Sequence, residues 1–444
     1  MRVLMLGWEF PPFISGGLGT ACYGLTRAMS RLGVEIVFVL PRPVYSQFTT
    51  HVKLASPQSG PGGSLHREYR LREFEHVSFH TIDTPLTPYQ GQAEYFRRIE
   101  ELKRRGRGEE AVLLRPADPA AQPSGRTQVL GSGGGGADYA GDLMAEVHRY
   151  ARLAVDIARS ETFDVVHAHD WMTYPAGLAV AAFSRKPLVA HIHSTEFDRS
   201  GEAINPQVYD IERAGLHGAD RIIAVSHLTR NICMTRYSVP GEKIEVVYNA
   251  IDTNGHIPHP KAIEKYDKIV LFLGRITMQK GPEYFLAAAR KVLDVYENVK
   301  FVVAGSGDMT RRMIELAAEM GIGHKVLFTG FLRGPDVDRV FRMADLYVMP
   351  SVSEPFGIAP LEAIRNDVPV IISKQSGVSE VLVHALKVDF WDINEMANKI
   401  LAVLRHPPLG ETLRRQSGFE VQTLTWDKSA SKVRDIYGLA VRRR

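Results

Sequence analysis

The strongest constraint on the fold is a rhythm that runs twice through the chain. Short apolar runs of strand type alternate with segments of helical period. Residues 2–6 read as a buried strand, 18–32 as a helix closed by Gly33, and 35–40 as a second strand. The order resumes with strands at 163–169, 187–193, 220–225 and 243–247, separated by helical segments at 175–183, 208–216 and 226–235. It begins again beyond a loop rich in proline and histidine at 254–260, with strands at 268–273, 300–304, 326–329, 346–349 and 368–372. Helical segments lie between them at 283–293, 309–319 and 336–343, with further helix near Ser379, at 394–404 and at 426–441. Near-continuous apolar strands joined through helices demand parallel sheets covered on both faces. A chain of 444 residues also exceeds one ordinary domain. The reading is α/β, with two doubly wound domains at 1–252 and 253–422 and a closing helix within 423–444.

The segment 42–140 departs from this rhythm. Residues 77–83 are strand-like, 106–136 are low-complexity and end in GSGGGG, and helical periodicity returns at 139–159. The glycine-rich piece reads as an exposed flexible loop. Arg97, Arg98, Lys103, Arg104, Arg105 and Arg107 form a basic cluster before it. That cluster is either a solvated helix end or a patch for anionic lipid or polymer.

Composition narrows the class. Charged residues make up 23% and hydrophobic residues 45%, and no apolar run reaches membrane-spanning length. The opening MRVLMLGWEF reads as a first strand rather than a signal peptide. The formal charge of +4 suits an anionic substrate but not nucleic acid. Only Cys22 and Cys233 are present, without CxxC spacing, so neither a disulfide scaffold nor a zinc site is expected, and cytoplasm is the default compartment.

Chemistry concentrates at residues 351–363, SVSEPFGIAPLEA. Glu354 falls on a loop leaving a strand, and Glu362 in the helix that follows. Ligands of open α/β sheets bind beyond the carboxyl ends of the strands, and helix N-termini there favour phosphate. A second loop, GRITMQKG, follows the strand at 268–273 and carries Gly274, Arg275 and Lys280. Two cations five residues apart can clamp a diphosphate without a metal. Gly16 and Gly17 lie in the first strand-to-helix loop, where they serve either a phosphate or a tight turn. The turn Gly305-Ser306-Gly307 invites a nicotinamide-binding reading but lacks the third glycine of that fingerprint.

The S-E-P-F-G-x-x-x-L-E-A pattern and the G-R-x-x-x-x-K-G loop resemble the retaining glycosyltransferases of family 4. HAHDW at 167–171 and HIHS at 191–194 resemble their glycogen and starch synthase branch. The resemblance implies the GT-B architecture, two Rossmann-like domains facing a cleft, with the last helix crossing back to the N-terminal one. It also implies roles. Arg275 and Lys280 would bind the donor diphosphate. His193 would bond the donor sugar hydroxyls, and Asp170 would line the sugar pocket. Glu354 would hold the sugar and balance positive charge at the anomeric carbon. Glu362 would bond the ribose, and the amides of Phe356, Gly357 and Ile358 would reach the phosphates. Asn249, in VVYNAID, matches a family turn, with Ala250 where glycine is usual. His167, His169 and His191 would be structural.

Ile14 stands where bacterial glycogen synthases carry a phosphate-binding lysine, and Phe356 where they usually carry cysteine. The resemblance implies transfer of a hexose, glucose first, from ADP- or UDP-glucose to a carbohydrate acceptor such as an α-glucan, with no metal and no other cofactor. The alternatives are an envelope-polysaccharide or glycolipid glycosyltransferase, with peripheral membrane contact through the basic cluster, and a non-catalytic sugar-nucleotide-binding protein.

Overall fold

A computed structural model of the chain describes residues 1–10, 17–41, 66–70, 76–82, 141–252 and 267–442. The low-complexity piece at 106–136, the basic cluster from Arg97 to Arg107, Gly16 and the loop at 254–260 lie outside the described residues. Two sheets form. The first contains β1 (Arg2–Leu6), β2 (Glu35–Leu40), β3 (His66–Arg70), β4 (Val77–Ile82), β5 (Val165–His169), β6 (Leu188–Ile192), β7 (Arg221–Ala224) and β8 (Ile244–Val246). Its strand order is β3-β4-β2-β1-β5-β6-β7-β8. The second contains β9 (Lys268–Leu273), β10 (Val299–Ala304), β11 (Val326–Gly330), β12 (Leu346–Met349), β13 (Val370–Ser373) and β14 (Leu386–Val388), in the order β11-β10-β9-β12-β13-β14. Every pairing is parallel except β3 with β4.

The sheets are doubly wound as the rhythm requires. Strands β5, β6, β12 and β13 are buried along their whole length, because helices cover both faces. The departures are local. The strand β14 and the helices Glu196–Ser200 and Pro407–Thr423 have no counterpart in the periodicity reading. The first two are too short to show a period. The third opens on a proline pair and carries two glycines, which blur it. The segment near Ser379 is a 3₁₀ turn, Gly377–Glu380.

Each sheet has one place where the chain reverses its winding. In the first it lies between β1 and β5, in the second between β9 and β12. Loops diverge there and leave a crevice. The crevice of the second sheet is bounded by the loops after β9 and β12, which carry GRITMQKG and SVSEPFG.

The final helix, Trp426–Arg442, packs on the helix Gly17–Arg31 and against β5, β6 and β7. Trp426 lies over Gly24, where an added Cβ would fall 2.2 Å from the indole. Arg31 and Asp427 add an exposed ion pair of 2.7 Å. One apolar cluster joins the halves, with Val225, Val247 and Ile251 alongside Phe356, Val378 and Trp426.

Candidate active site

The loop after β9 owes its shape to glycines. Gly305 has φ +139°, and a Cβ there would meet the carbonyl oxygen of Gly274 at 1.8 Å. A Cβ on Gly307 would meet the Ile276 oxygen at 2.2 Å. The Gly305-Ser306-Gly307 turn therefore packs backbone against backbone. The Ile276 amide donates to Ser306 O at 3.0 Å, and the Met309 amide to Ile276 O at 3.1 Å. This turn is a brace for the Arg275 loop, which accounts for its glycines without a dinucleotide. Gly281 ends the loop at φ +62°, with no room for a Cβ beside the Pro350 carbonyl.

That brace brings the two sequence motifs together. Lys280 Nζ donates to Glu354 Oε2 at 2.5 Å, across 74 residues of chain. Ser351 Oγ donates to the same oxygen at 3.3 Å. Arg275 Nη2 donates to Gln279 Oε1 at 3.1 Å, and the Val352 amide to Gln279 O at 2.9 Å, so the two loops are stitched by backbone as well. The glutamate is 8% exposed, and its backbone is pinned between Gln375 and Gly377. Lys280, Glu354 and Ser351 thus form a largely buried polar cluster, with Arg275 held on the adjoining loop through Gln279.

Gly357 follows at φ +100°, a conformation that favours glycine. The side chains of Phe356 and Ile358 are buried, and Phe356 O accepts from the Val378 amide at 2.7 Å. Glu362 sits in the helix Ala359–Arg365. Burial pushes its carboxyl above the ordinary range, Arg365 pulls it down, and Asp338 raises it further.

The opposite side is built from β5 and β6. Their register sets His169 beside His191. His167 and His169 share one face, as do His191 and His193, so four imidazoles stack with centroid separations of 4.0 to 5.3 Å. His169 Nδ1 and His193 Nε2 are 2.9 Å apart. His167 bonds the hydroxyl of Tyr437 on the final helix, and its other nitrogen meets His191 Nδ1 at 3.2 Å. Burial depresses all four, and repulsion among the rings depresses His167, His191 and His193 further, so the ladder is neutral at pH 7.

Asp170 has φ +60°, and its Oδ1 accepts from the amides of His193 at 2.6 Å and Ser194 at 3.4 Å. It ties the ends of β5 and β6. Burial raises its carboxyl to about 7, against the pull of those amides. Gly17 begins the first helix, Gly274 follows β9, and Asn249 follows β8 in the loop to Asp252.

A structural route from His193 to Glu354 escaped the sequence reading. The segment after His193 forms a short helix with a capping box, Thr195 and Asp198 satisfying each other. Asp198 Oδ1 accepts from Ser353 Oγ at 2.5 Å, beside Glu354. Arg199 holds the segment from below. It donates to Ser194 O at 2.9 Å and pairs with Glu196 at 3.1 Å and Glu212 at 2.5 Å, all nearly buried. The T-x-x-D spacing was a legible helix-start signal. Its reach to Ser353 was not. Farther along the cleft, Glu380 accepts from the amides of His227 and Leu228 and from the Tyr248 hydroxyl, capping a helix of the first half from the second.

Comparison with known proteins gives the family and the fold. Residues 89–254 match a family model described as Glycosyltransferase Family 4, and residues 256–417 one described as Glycosyl transferases group 1. An uncharacterized glycosyltransferase of Methanocaldococcus jannaschii is 27% identical over 99% of both chains. A glycogen synthase of Mycobacterium tuberculosis is 25% identical over 100% of this chain and 95% of its own. The catalytic domain of starch synthase IV from Arabidopsis thaliana, solved with ADP and acarbose, shares the fold at a TM-score of 0.68, with 15% identity over 99% of both chains.

Proposed function

The chain belongs to the glycosyltransferases of the GT-B fold, and from that premise we propose that it moves a hexose, glucose first, from a nucleotide sugar to a carbohydrate acceptor with retention of anomeric configuration. ADP- or UDP-glucose is the donor and an α-glucan the first acceptor. The observation that carries the reading is the Lys280–Glu354 pair at the winding reversal of the second sheet, beside Arg275.

The chemistry follows from charge. As the donor's glycosidic bond breaks, negative charge grows on the leaving diphosphate, and Arg275 and Lys280 meet it. Positive charge grows at the anomeric carbon, and the Glu354 carboxylate balances it. Before the donor arrives, the Lys280 cation is satisfied by Glu354. Diphosphate entry gives that cation a second anion and leaves the carboxylate turned to the sugar. Neutral His193 offers one nitrogen to a sugar hydroxyl, while Asp170 fixes its backbone. Glu362 takes the ribose. A bridge such as Asp198–Ser353 marks where the two halves meet when the donor is enclosed.

The test is a panel of ADP-, UDP- and GDP-sugars with glycogen or maltooligosaccharide acceptors, with product configuration read by proton NMR. Product of inverted configuration, or transfer at wild-type rate by both Glu354→Ala and Lys280→Ala, would sink the assignment. The second reading, a glycolipid or envelope-polysaccharide acceptor, is favoured by Ile14 in place of the glycogen synthase lysine. Transfer to lipid-linked sugars but not to glucans would select it.

A further inference from the structure

Four buried polar atoms with no hydrogen-bond partner among the described residues gather at the ends of β5 and β6. They are His169 Nε2, His191 Nε2, His193 Nδ1 and Ser194 Oγ. On His169 and His193 the unpartnered nitrogen lies across the ring from the one that faces the other imidazole. The helix Gly17–Arg31 lays the fully buried Cys22 against the same ladder. One ligand atom each from Cys22, His169 and His193 lie within 4.8 Å of one another. Among the described residues a second trio, His167, His169 and His191, meets the same criterion and shares His169. The two trios therefore compete for one ion.

The surroundings are those of a cation site. Glu9 and Asp170 are buried carboxylates, and both are close enough to Cys22 to push its thiol up, in addition to the effect of burial. A dication here would be offset by a thiolate and two nearby carboxylates. The thiol and two imidazoles are the donor set of a zinc-class ion rather than of magnesium. Distances fit as well. Tetrahedral zinc with bonds of about 2.0–2.1 Å to nitrogen holds its nitrogen ligands about 3.3 Å apart. His169 Nδ1 and His193 Nε2 stand at 2.9 Å, so the rings need to separate by only a few tenths of an ångström. The trio with Cys22 is favoured over the all-histidine trio because it supplies a thiolate and because His193 is partly exposed, which gives an ion a way in.

We propose that Cys22, His169 and His193 form a site for a thiophilic divalent cation, Zn²⁺ first, and that its occupancy takes His193 away from the donor sugar and inhibits transfer. On binding, the Cys22 thiol loses its proton to solvent. The hydrogen bond between the two imidazoles gives way to two metal–nitrogen bonds: the ring that donated it releases the bridging proton and takes one up on its opposite nitrogen, so each ring ends neutral with one proton on the nitrogen away from the ion. A solvent oxygen from the cleft completes four-coordination. The inhibitory half of this inference rests on the proposed glycosyl transfer; the binding half does not.

The test is titration of the full chain with Co²⁺, followed by displacement with Zn²⁺. A cobalt–thiolate charge-transfer band saturating at one ion per chain is expected. Cys22→Ala should abolish the band, and His169→Ala should weaken binding by about tenfold or more. Cys233→Ala, which alters the other cysteine, should leave the band unchanged. Cys22→Ser serves as a second variant should the alanine chain fail to fold. In donor-saturation assays Zn²⁺ should raise the donor KM, and Cys22→Ala should resist it. No thiolate band, or a band that survives Cys22→Ala and disappears in Cys233→Ala, overturns the site. A chain that gives the band but transfers no sugar refutes the transferase reading alone; one that transfers sugar without the band refutes the metal site alone.

Discussion

Replacing Lys280 by Met separates what the Lys280–Glu354 pair does for the fold from what it does for catalysis. The side chains of the pair are 19% and 10% exposed, so solvent screens them little. Without Lys280 the Glu354 carboxylate keeps, among the described residues, only the Ser351 hydroxyl at 3.3 Å as a side-chain partner. Leaving a buried charge without its counter-ion costs about 3–5 kcal/mol. On the proposed function the same substitution removes one of the two cations that would meet the diphosphate, an expected loss of about 10²–10³ in kcat. Glu354→Gln in the Lys280→Met background removes the stranded charge. The double variant should regain stability to within about 1 kcal/mol of wild type yet stay as inactive as either single variant. Calorimetry and urea unfolding give the stability arm of this double-mutant cycle, and donor kinetics the catalytic arm. The reasoning fails if Glu354→Gln leaves the Met variant as unstable as before, or if the double variant recovers turnover.

Three further outcomes are expected. Arg199→Ala strands Glu196 and Glu212 in the interior, so it should cost about 3–5 kcal/mol in urea unfolding, with Arg199→Lys falling between. Burial raises the Glu362 carboxyl, so the folded chain holds that proton more tightly than the unfolded chain. Its stabilising effect is complete below the unfolded value of about 4.3 and is lost as pH rises through the higher folded value. The stability of wild type relative to Glu362→Gln should therefore fall with rising pH across that window, and a flat difference between the two unfolding curves would contradict it. Trp426→Ala should cost about 3–5 kcal/mol, because the indole fills the space over Gly24, and calorimetry should show it as a lowered transition.

The sequence by itself determined the doubly wound sheets and the two loops that carry Arg275, Lys280 and Glu354. Strand burial and helical period are local properties, and short turns of glycine and proline sit where the chain must reverse. It also held the S-E-P-F-G and G-R-x-x-x-x-K-G spacings, because each lies within one strand–loop–helix unit. Tertiary structure alone decided what joins those units. Lys280 meets Glu354 because β9 and β12 are neighbours at the winding reversal, a pairing that no periodicity encodes. Asp198 reaches Ser353 across 155 residues, and Tyr437 reaches His167 across 270. Cys22 has no metal-ligand neighbour at CxxC spacing, so its sequence context shows no zinc site. Its histidine neighbours come from strands about 150 residues away, brought beside it by the register of β5 with β6 and the packing of one helix. Contacts of that length depend on which strands pair and in what register, and those are settled by the burial of whole sheet faces rather than by any short stretch of residues.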